Sequence, residues 1–285
     1  DCDTAIDFFR RSLKIRLTSQ GETHPDTAQS YGSLGTAYFQ KGDYDEAIAY
    51  HEKAIAIQHN ALGEAHPDLA QSLNNIGLSF CYKGEYDKAL TFYERSLSIW
   101  ISSVGEQHPN TATTYHNIGA VYDGMRDYDK AIEYYEKALL IRKKLLGGKH
   151  PDLAQSYNNI GLSYEQKKDY DDAIAYYEKA LAIQTQVFGE NHPDVATSYG
   201  NLAVAYADKG CPDRSIEYST KSLTIKMHIL GENHPDVATS YNNIGSAYLS
   251  KDDCDHAIYY YLKALELLKR TSSRQNTIQC AINLG

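Results

Sequence analysis

The eleven residues GENHPDVATSY occupy positions 189–199, and the same eleven letters return at positions 231–241. The two copies are 42 residues apart. The dipeptide His-Pro keeps this period along the chain, with its histidine at His24, His66, His108, His150, His192 and His234. A glycine lies three positions before each of these histidines. Self-similarity at a fixed period of this length is typical of a solenoid, in which each repeat is one supersecondary unit.

Composition and charge narrow the range of functions. The chain has 285 residues and a formal net charge of −9, whereas a general nucleic-acid-binding protein needs a basic surface. No stretch approaches the roughly 18 apolar residues of a membrane span, and the first residues do not resemble a signal peptide. The five cysteines include no Cys-x-x-Cys pair. We therefore expect no nucleic-acid partner, no membrane insertion and a reducing, cytoplasmic setting.

Each repeat contains two helical patterns. In the first, Ala154, Tyr157, Gly161 and Tyr164 recur at the spacing of one helical stripe. In the second, Ala173, Tyr177, Ala180 and Leu181 do the same, and the polar turn KKDYDD separates the two patterns. The sequence therefore predicts an all-α chain built from helix–turn–helix units.

The His-Pro joint is predicted to be structural. Gly189 suits the end of one helix because glycine accepts left-handed backbone angles, and Pro193 suits the first turn of the next helix. His192 then falls at or near the N-cap. The alternative is a metal site, but zinc ligands must converge to about 2 Å from one ion, whereas histidines of successive repeats are expected about 10 Å or more apart. We therefore expect no metal and no catalytic role here.

The 25 tyrosines fall mostly into columns with the 42-residue period. Aromatic residues at helical spacing beside alanine and glycine are typical of a packed core, and an aromatic ligand cage is the alternative. A small residue recurs in the middle of the first helix, although glycine costs about 1 kcal/mol there relative to alanine. It indicates close approach of helices at Gly35, Gly77, Gly119, Gly161, Ala203 and Gly245.

The motif Tyr157-x2-Ile160-Gly161-x2-Tyr164, followed by Ala173-x3-Tyr177 and Ala180, resembles the tetratricopeptide repeat signature, with Tyr in place of its Trp. The 42-residue period and the Gly-Glu-x-His-Pro-Asp connection resemble the kinesin light chain type of this repeat. By period alone, HEAT or armadillo repeats would compete. The resemblance implies an α-solenoid coiled into a right-handed superhelix that binds other proteins.

We expect one solenoid over residues 1–285. Residues 1–22 align with the second helix of a partial repeat, and residues 275–285 with the start of a further one. Six full repeats lie between them, at 23–64, 65–106, 107–148, 149–190, 191–232 and 233–274. Without an initiator methionine or polar terminal caps, the chain is expected to be an excerpt of a longer protein.

No motif for catalysis or nucleotide binding is found, so neither an enzyme nor a cofactor is expected. Asparagine, a mediocre residue within a helix, recurs at one position of the first helices. The resemblance implies that these helices line a concave groove where such asparagines hold bound peptides. The predicted peptide-binding residues are Asn75, Asn117, Asn159, Asn201 and Asn243, with Asn74, His116, Asn158, Asn242, Gln71 and Gln155 beside them. An inter-repeat hydrogen-bond ladder or plain duplication is the alternative explanation.

Charge on this stripe departs from the family. Kinesin light chains capture acidic peptides with lysine and arginine, whereas the charged members here are Asp123, Glu165 and Asp208. We therefore expect acidic cargo peptides to bind weakly. A basic column on the second helices is interpreted as a solvated outer face; it comprises Lys53, Arg95, Lys137, Lys179, Lys221 and Lys263.

Two functions remain open at this point. One is a peptide-binding adaptor of kinesin light chain type, for which the resemblance suggests kinesin heavy chain and cargo as partners. The other is a structural or regulatory solenoid of a larger protein that acts through its outer face or by self-association.

Overall fold

The structure consists of helices joined by short turns. It is a computed structural model and describes residues 2–271. In this range the secondary structure is helical, with no β-strand. The helices are α1 (Cys2–Gln20), α2 (Pro25–Lys41), α3 (Tyr44–Leu62), α4 (Pro67–Tyr82), α5 (Tyr86–Val104), α6 (Pro109–Gly124), α7 (Tyr128–Leu146), α8 (Pro151–Gln166), α9 (Tyr170–Phe188), α10 (Pro193–Asp208), α11 (Pro212–Leu230), α12 (Pro235–Leu249) and α13 (Cys254–Thr271). The further repeat predicted from residue 275 lies outside the described residues.

The chain divides into two compact units, Asp1–Leu145 and Leu146–Gly285. In the first unit α2 packs on α3 and α4 on α5, while α1, α3 and α5 each also pack on the first helix of the following repeat. In the second unit the pairs are α8 with α9, α10 with α11 and α12 with α13, joined by contacts of α9 with α10 and of α11 with α12. This consecutive helix-pair packing confirms the predicted all-α solenoid class.

The six His-Pro histidines are the N-caps of the first helices, as predicted. In α10 the backbone N–H of Asp194 donates to His192 Nδ1 over 3.2 Å, and the other five joints repeat this bond at 3.1–3.2 Å. Pro193 is the first residue of α10, and Gly189 ends α9 with a φ of 82°. The joint therefore satisfies a backbone donor that the start of a helix otherwise leaves unpaired.

Close packing explains the small residue in the first helices. A Cβ on Gly161 would lie 2.7 Å from a ring carbon of Tyr177, and four other repeats show the same clash with a ring at 2.7–2.9 Å. The partner ring is His51 in the first repeat and a tyrosine in the other three. The fifth repeat has Ala203 and Ser219 at the equivalent positions, so a larger first-helix residue accompanies a smaller second-helix residue.

Lysines at the ends of the first helices pair with an aspartate one repeat earlier. Lys83 Nζ lies 2.6 Å from an oxygen of Asp45, and Lys251 Nζ lies 2.5 Å from one of Asp213. In the third repeat Met125 stands at the lysine position. The turn that follows requires a left-handed residue, which is Gly84 in the second repeat but Arg126, with a φ of 63°, in the third.

Candidate functional site

One side of the first helices carries the predicted asparagines and is only partly covered by the second helices. In α4 this face carries Gln71, Asn75, Leu78 and Tyr82, spaced by three or four residues along one side of the helix. Gln71 is exposed, Asn75 and Leu78 are half-buried, and Tyr82 is 61% exposed. We call this surface, with the equivalent residues of the other first helices, the amide face.

Some of the predicted amides bond to one another in the first unit. Asn117 Nδ2 in α6 donates to Asn74 Oδ1 in α4 over 3.0 Å, which joins two first helices. Gln71 Nε2 donates to Asn75 Oδ1 over 2.9 Å within α4. Asn74 is buried, whereas Asn75 and Asn117 remain half-buried. One link of the alternative hydrogen-bond ladder is therefore present, and Asn75 and Asn117 remain partly exposed.

In the second unit the predicted asparagines Asn158, Asn159, Asn201, Asn242 and Asn243 are all half-buried. The Oδ1 atom of Asn158 is buried and has no hydrogen-bond partner. Elsewhere on the amide face of this unit, Gln155 is exposed.

The ring of the half-buried His116 lies 5.1 Å, centroid to centroid, from that of Tyr135. Burial, assisted by the nearby charge of Arg142, lowers the pKa of His116 to about 4. His116 is thus neutral at physiological pH and presents a ring rather than a charge beside the amide face.

A hollow of about 350 Å³ lies between α2 and α4 on the amide face of the first unit. Its lining includes Asp26 and Gln29 from α2 and Asp68, Gln71 and Asn75 from α4. Gly32 leaves this space open, since a Cβ there would have no neighbour within 4 Å. Gln58 lines the hollow from α3. It is only 7% exposed, and its Oε1 atom has no hydrogen-bond partner.

An equivalent hollow of about 360 Å³ lies between α8 and α10 in the second unit. Asp152 and Asp194 take the places of the two aspartates, and Gln184 takes that of Gln58. Here Gln184 Oε1 accepts a hydrogen bond from Ser198 over 2.5 Å, while Asn158 supplies the buried oxygen without a partner. A hollow with two carboxylates and an unsatisfied amide oxygen is therefore present among the described residues of each unit.

The acidic residues predicted for this stripe differ in environment. Glu165 is half-buried and accepts a hydrogen bond of 3.1 Å from the hydroxyl of Tyr177. Burial raises the pKa of Glu165 and the charge of Asp208 adds to this, although the tyrosine opposes the shift. Asp123 is half-buried and Asp208 is exposed. One carboxylate oxygen of Glu165 is thus already bonded to α9. The sequence alone does not indicate this bond.

Residues of the second helices also line the hollows, and these were missed from the sequence. Gln58 and Gln184 share one position of the 42-residue repeat with Lys226. Lys226 is half-buried on α11, its Nζ lies 3.3 Å from Ser240 Oγ, and burial lowers its pKa. Lys226 thus places a cation from a second helix beside the first helices, whose own stripe was predicted to carry acidic residues. The available signal was the polar residues at this position in most repeats, with Trp100 as an exception.

The basic column of the second helices lies over aromatic rings. Lys179 Nζ is 4.3 Å from the ring centroid of Tyr176 and 5.9 Å from that of Tyr157. Lys221 makes the same pair of contacts with Tyr218 and Tyr199. Lys263 lies over Tyr241 and over Tyr259, which is one residue before the equivalent of Tyr176. The residues of this basic column are largely exposed, as predicted. The charged groups of these lysines lie over tyrosine rings and interact with them by cation–π interaction. Those tyrosines pack on one another, with Tyr164 stacked on Tyr176 at 5.4 Å, which confirms the core interpretation of their columns.

Membrane spans and metal-binding clusters are both absent from residues 2–271. No helix among residues 2–271 is both long and apolar enough to span a bilayer. In the same part of the chain, no three His, Cys, Asp or Glu side chains are grouped so that they could hold a metal ion.

Comparison with known proteins supports the fold independently. A search of curated proteins found no match. Among solved structures, BtubC (BKLC) from P. vanneervenii is similar with a TM-score of 0.68 and 22% identity, over 81% of this chain and 93% of that one. A protein from Podosopora anserina, described as kinesin light chain with nearly identical TPR-like repeats, has a TM-score of 0.65 and 24% identity, over 72% of this chain and 97% of that one.

The apo form of RapI has a TM-score of 0.65 and 17% identity, over 95% of this chain and 93% of that one. At these identities the likeness concerns the fold alone. The model of the tetratricopeptide repeat family matches six overlapping segments, 1–60, 35–96, 68–144, 124–186, 152–225 and 194–270. The chain belongs to the tetratricopeptide repeat family.

Proposed function

We propose that the chain is a protein–protein interaction scaffold that holds an extended peptide segment on the amide face, in the manner of the cargo-binding domain that it resembles. The observation that carries this proposal is the amide face itself, where half-buried asparagines recur from repeat to repeat. A binding role rather than a catalytic one agrees with the family match.

The chemistry of the amide face suits a peptide backbone. A carboxamide offers both donors and an acceptor, so it can pair with the N–H and C=O groups of an extended chain whatever its side chains are. The amide face would therefore pair with the backbone of any extended peptide. Neighbouring pockets would select which peptide sequences bind. The residues proposed for backbone pairing are Asn75, Asn117, Asn159, Asn201 and Asn243.

The partner is a protein segment that is not strongly acidic. Asp26 and Asp68 line the hollow of the first unit, and a carboxylate placed there would meet like charges. Kinesin heavy chain and kinesin cargo are suggested only by resemblance to the family. The cytoplasm is the compartment we propose, since the thiols of Cys2, Cys81, Cys211 and Cys254 are free.

The test starts from peptides selected against the whole chain from a library of random twelve-residue sequences. One selected peptide, labelled with fluorescein, is titrated by fluorescence anisotropy against the chain and against a variant with Asn75→Ala, Asn159→Ala and Asn201→Ala. Loss of several peptide hydrogen bonds should weaken binding at least tenfold. Asn117 stays unchanged, because its bond to Asn74 would confound binding with stability.

A matched control carries Glu52→Ala, Glu94→Ala and Glu178→Ala, three exposed substitutions on second helices. It should bind as the parent chain does, and both variants should keep their helical circular dichroism. Unchanged affinity in the asparagine variant, with the fold intact, would show that the amide face does not hold the peptide.

A structural or regulatory role through another surface is the second candidate. Phe8 and Ile15 on α1 are 63% and 68% exposed, which gives this helix an apolar side without a partner in the described chain. If that side mediates self-association, light scattering should show a mass above 32.0 kDa that falls to the monomer value when both residues become serine. A monomer at all concentrations would remove support for self-association through α1.

A further inference from the structure

The hollow between α2 and α4 has an unusual hydrogen-bonding deficit. The side chain of Gln58 is 93% buried, yet its Oε1 atom finds no donor. An unsatisfied buried acceptor costs about 1–3 kcal/mol, and such groups are rare in folded proteins. The hollow beside it has a volume of about 350 Å³ and is open at Gly32. The hollow therefore has both room and need for a donor from outside.

The charge of the hollow specifies which kind of donor. Two carboxylates, Asp26 and Asp68, line it, and among its described lining residues there is no lysine or arginine. Arg16 lies at its edge, where it is bonded to Asp26 and Gln29 of α2. The remaining polar lining consists of amides and hydroxyls, from Gln29, Gln71, Ser33 and others. Carboxylates accept hydrogen bonds and prefer charged donors, so a planar cation with several N–H groups matches this lining better than a neutral group does.

The chain itself contains such a cation at the equivalent position of the preceding partial repeat. Arg16 stands 42 residues before Gln58 and reaches the same side of α2 that Gln58 reaches on α4. Its Nη1 atom donates to the carbonyl oxygen of Asp26, to Gln29 Oε1 at 3.3 Å and to Ser30 Oγ at 3.0 Å. In the next repeat the corresponding acceptors are present on α4, but the arginine is replaced by the shorter glutamine.

We infer that the hollow between α2 and α4 is a subsite for a guanidinium group, supplied by an arginine side chain of the peptide that the amide face holds. This inference rests on the proposed function and names the side chain that the face selects. The guanidinium would donate to Gln58 Oε1 and to the carboxylates of Asp26 and Asp68, and would occupy the space above Gly32.

The second unit repeats the arrangement with its own residues. Its hollow contains Asp152, Asp194 and the buried, unpartnered Oδ1 of Asn158. The neighbouring repeat shows what happens when the chain supplies the cation, since Lys226 donates to Ser240 at the position equivalent to Ser30. A cation from the second helix and a cation from a ligand are thus alternative ways of satisfying the same acceptors.

The test measures binding of small probes to the whole chain by nuclear magnetic resonance. The side-chain amide signal of Gln58, assigned by its loss in Gln58→Leu, is followed during titration with N-acetyl-arginine amide and with N-acetyl-citrulline amide. Citrulline has nearly the same shape but no charge. The arginine probe should bind at least tenfold more tightly, because a charged hydrogen bond is about twice as strong as a neutral one. Equal binding of the two probes would overturn the inference.

Two variants locate the site. Gln58→Arg places a guanidinium where Arg16 has one and should abolish binding of the arginine probe. Asp68→Asn should weaken it several-fold while preserving shape. Asp87→Asn removes the same charge from an exposed position on α5 outside the hollow and should leave binding unchanged. If Asp68→Asn and Asp87→Asn weakened binding of the arginine probe equally, general electrostatic attraction would explain the affinity. That result would refute a defined subsite.

The subsite and the amide face can fail separately. A nine-residue peptide of glycine and serine with one central arginine should bind more tightly than the capped amino acid if the face also pairs with backbone. Equal affinity of peptide and amino acid would refute the proposed function and leave the guanidinium subsite. Tight binding of a selected peptide that is indifferent to Gln58→Arg would refute the subsite and leave the proposed function.

Discussion

The close packing of Gly161 against Tyr177 predicts how Gly161→Ala changes the free energy of unfolding. The sign of that change should depend on whether the tyrosine ring is present. In a helix, alanine is favoured over glycine by about 1 kcal/mol, so Gly161→Ala would ordinarily stabilise α8. Here the new Cβ would lie 2.7 Å from the ring of Tyr177 and 3.3 Å from the carbonyl oxygen of Ala173. The ring is 1% exposed and cannot move freely. Overpacking of this kind costs about 1–3 kcal/mol, so the net result should be a loss of about 1 kcal/mol.

The loss should turn into a gain when the ring is removed. Tyr177→Ser alone costs about 3–5 kcal/mol as a large-to-small substitution in the core. In that background Gly161→Ala should stabilise by about 1 kcal/mol, because only its helix propensity remains. The coupling free energy between the two sites is therefore about 2 kcal/mol. The fifth repeat already contains the double substitution as Ala203 and Ser219, and Ala203→Gly should accordingly destabilise by about 1 kcal/mol.

Urea denaturation followed by circular dichroism would measure the four members of the cycle. Neighbouring repeats can unfold separately, so hydrogen exchange of the α8 and α9 amides should accompany the bulk transition. Ser219→Phe offers the converse experiment: it should destabilise beside Ala203 and be tolerated with Ala203→Gly. If Gly161→Ala raises stability equally with and without the ring, close packing is not the reason for glycine, and the explanation of the small-residue column is wrong.

Four further predictions follow from single contacts. His192→Ala should lower the stability of α10 by about 1 kcal/mol in thermal unfolding, and His192→Asn should retain most of it, because asparagine also caps. Met125→Lys should form an ion pair with Asp87 like those of the other repeats, with a gain of at most about 1 kcal/mol that disappears in 1 M salt. Arg126→Gly should gain about 0.5 kcal/mol by relieving its positive φ, offset by the entropy of glycine, and no gain in the urea midpoint would contradict this. Burial lowers the pKa of His51 to about 4, below its unfolded value near 6.5, so stability should fall by up to about 3 kcal/mol as the pH drops from 6.5 to 4. His51→Tyr, the residue of most other repeats, should flatten that pH dependence.

Features that depend on neighbouring residues in the chain could be predicted from the sequence. The cap at His192 and the helix start at Pro193 are local, because the donor and acceptor are two residues apart. The stripe of Tyr157, Gly161 and Tyr164 likewise follows from the helical period. Repetition strengthens such predictions, since the same local signal is read six times.

Features that depend on side chains from different repeats could not be predicted in the same way. The bond between Asn117 and Asn74 joins residues 43 apart, and its existence depends on the side-chain rotamers of both. The sequence gives the column of asparagines but not which amide group is used within the protein. Glu165 is similar, because its bond to Tyr177 is set by the distance between α8 and α9 rather than by its own surroundings in the chain.

Two positions of the repeat that line the hollow between α2 and α4 differ between repeats. Between α2 and α4 the residues are Gly32 and Gln58, and a hollow is present. In the next repeat Asn74 and Trp100 take these positions, and Trp100 is 4% exposed with its ring stacked on that of His108. The backbone joint is the same in both repeats, with a capping histidine and a glycine at the preceding helix end. Duplication has thus kept what the fold requires at each joint. The second-helix position differs: it is glutamine in both hollows, at Gln58 and Gln184, and a buried tryptophan at Trp100. Specificity of the scaffold should therefore be altered by exchanging this second-helix residue between repeats, without any change in the helices that carry it.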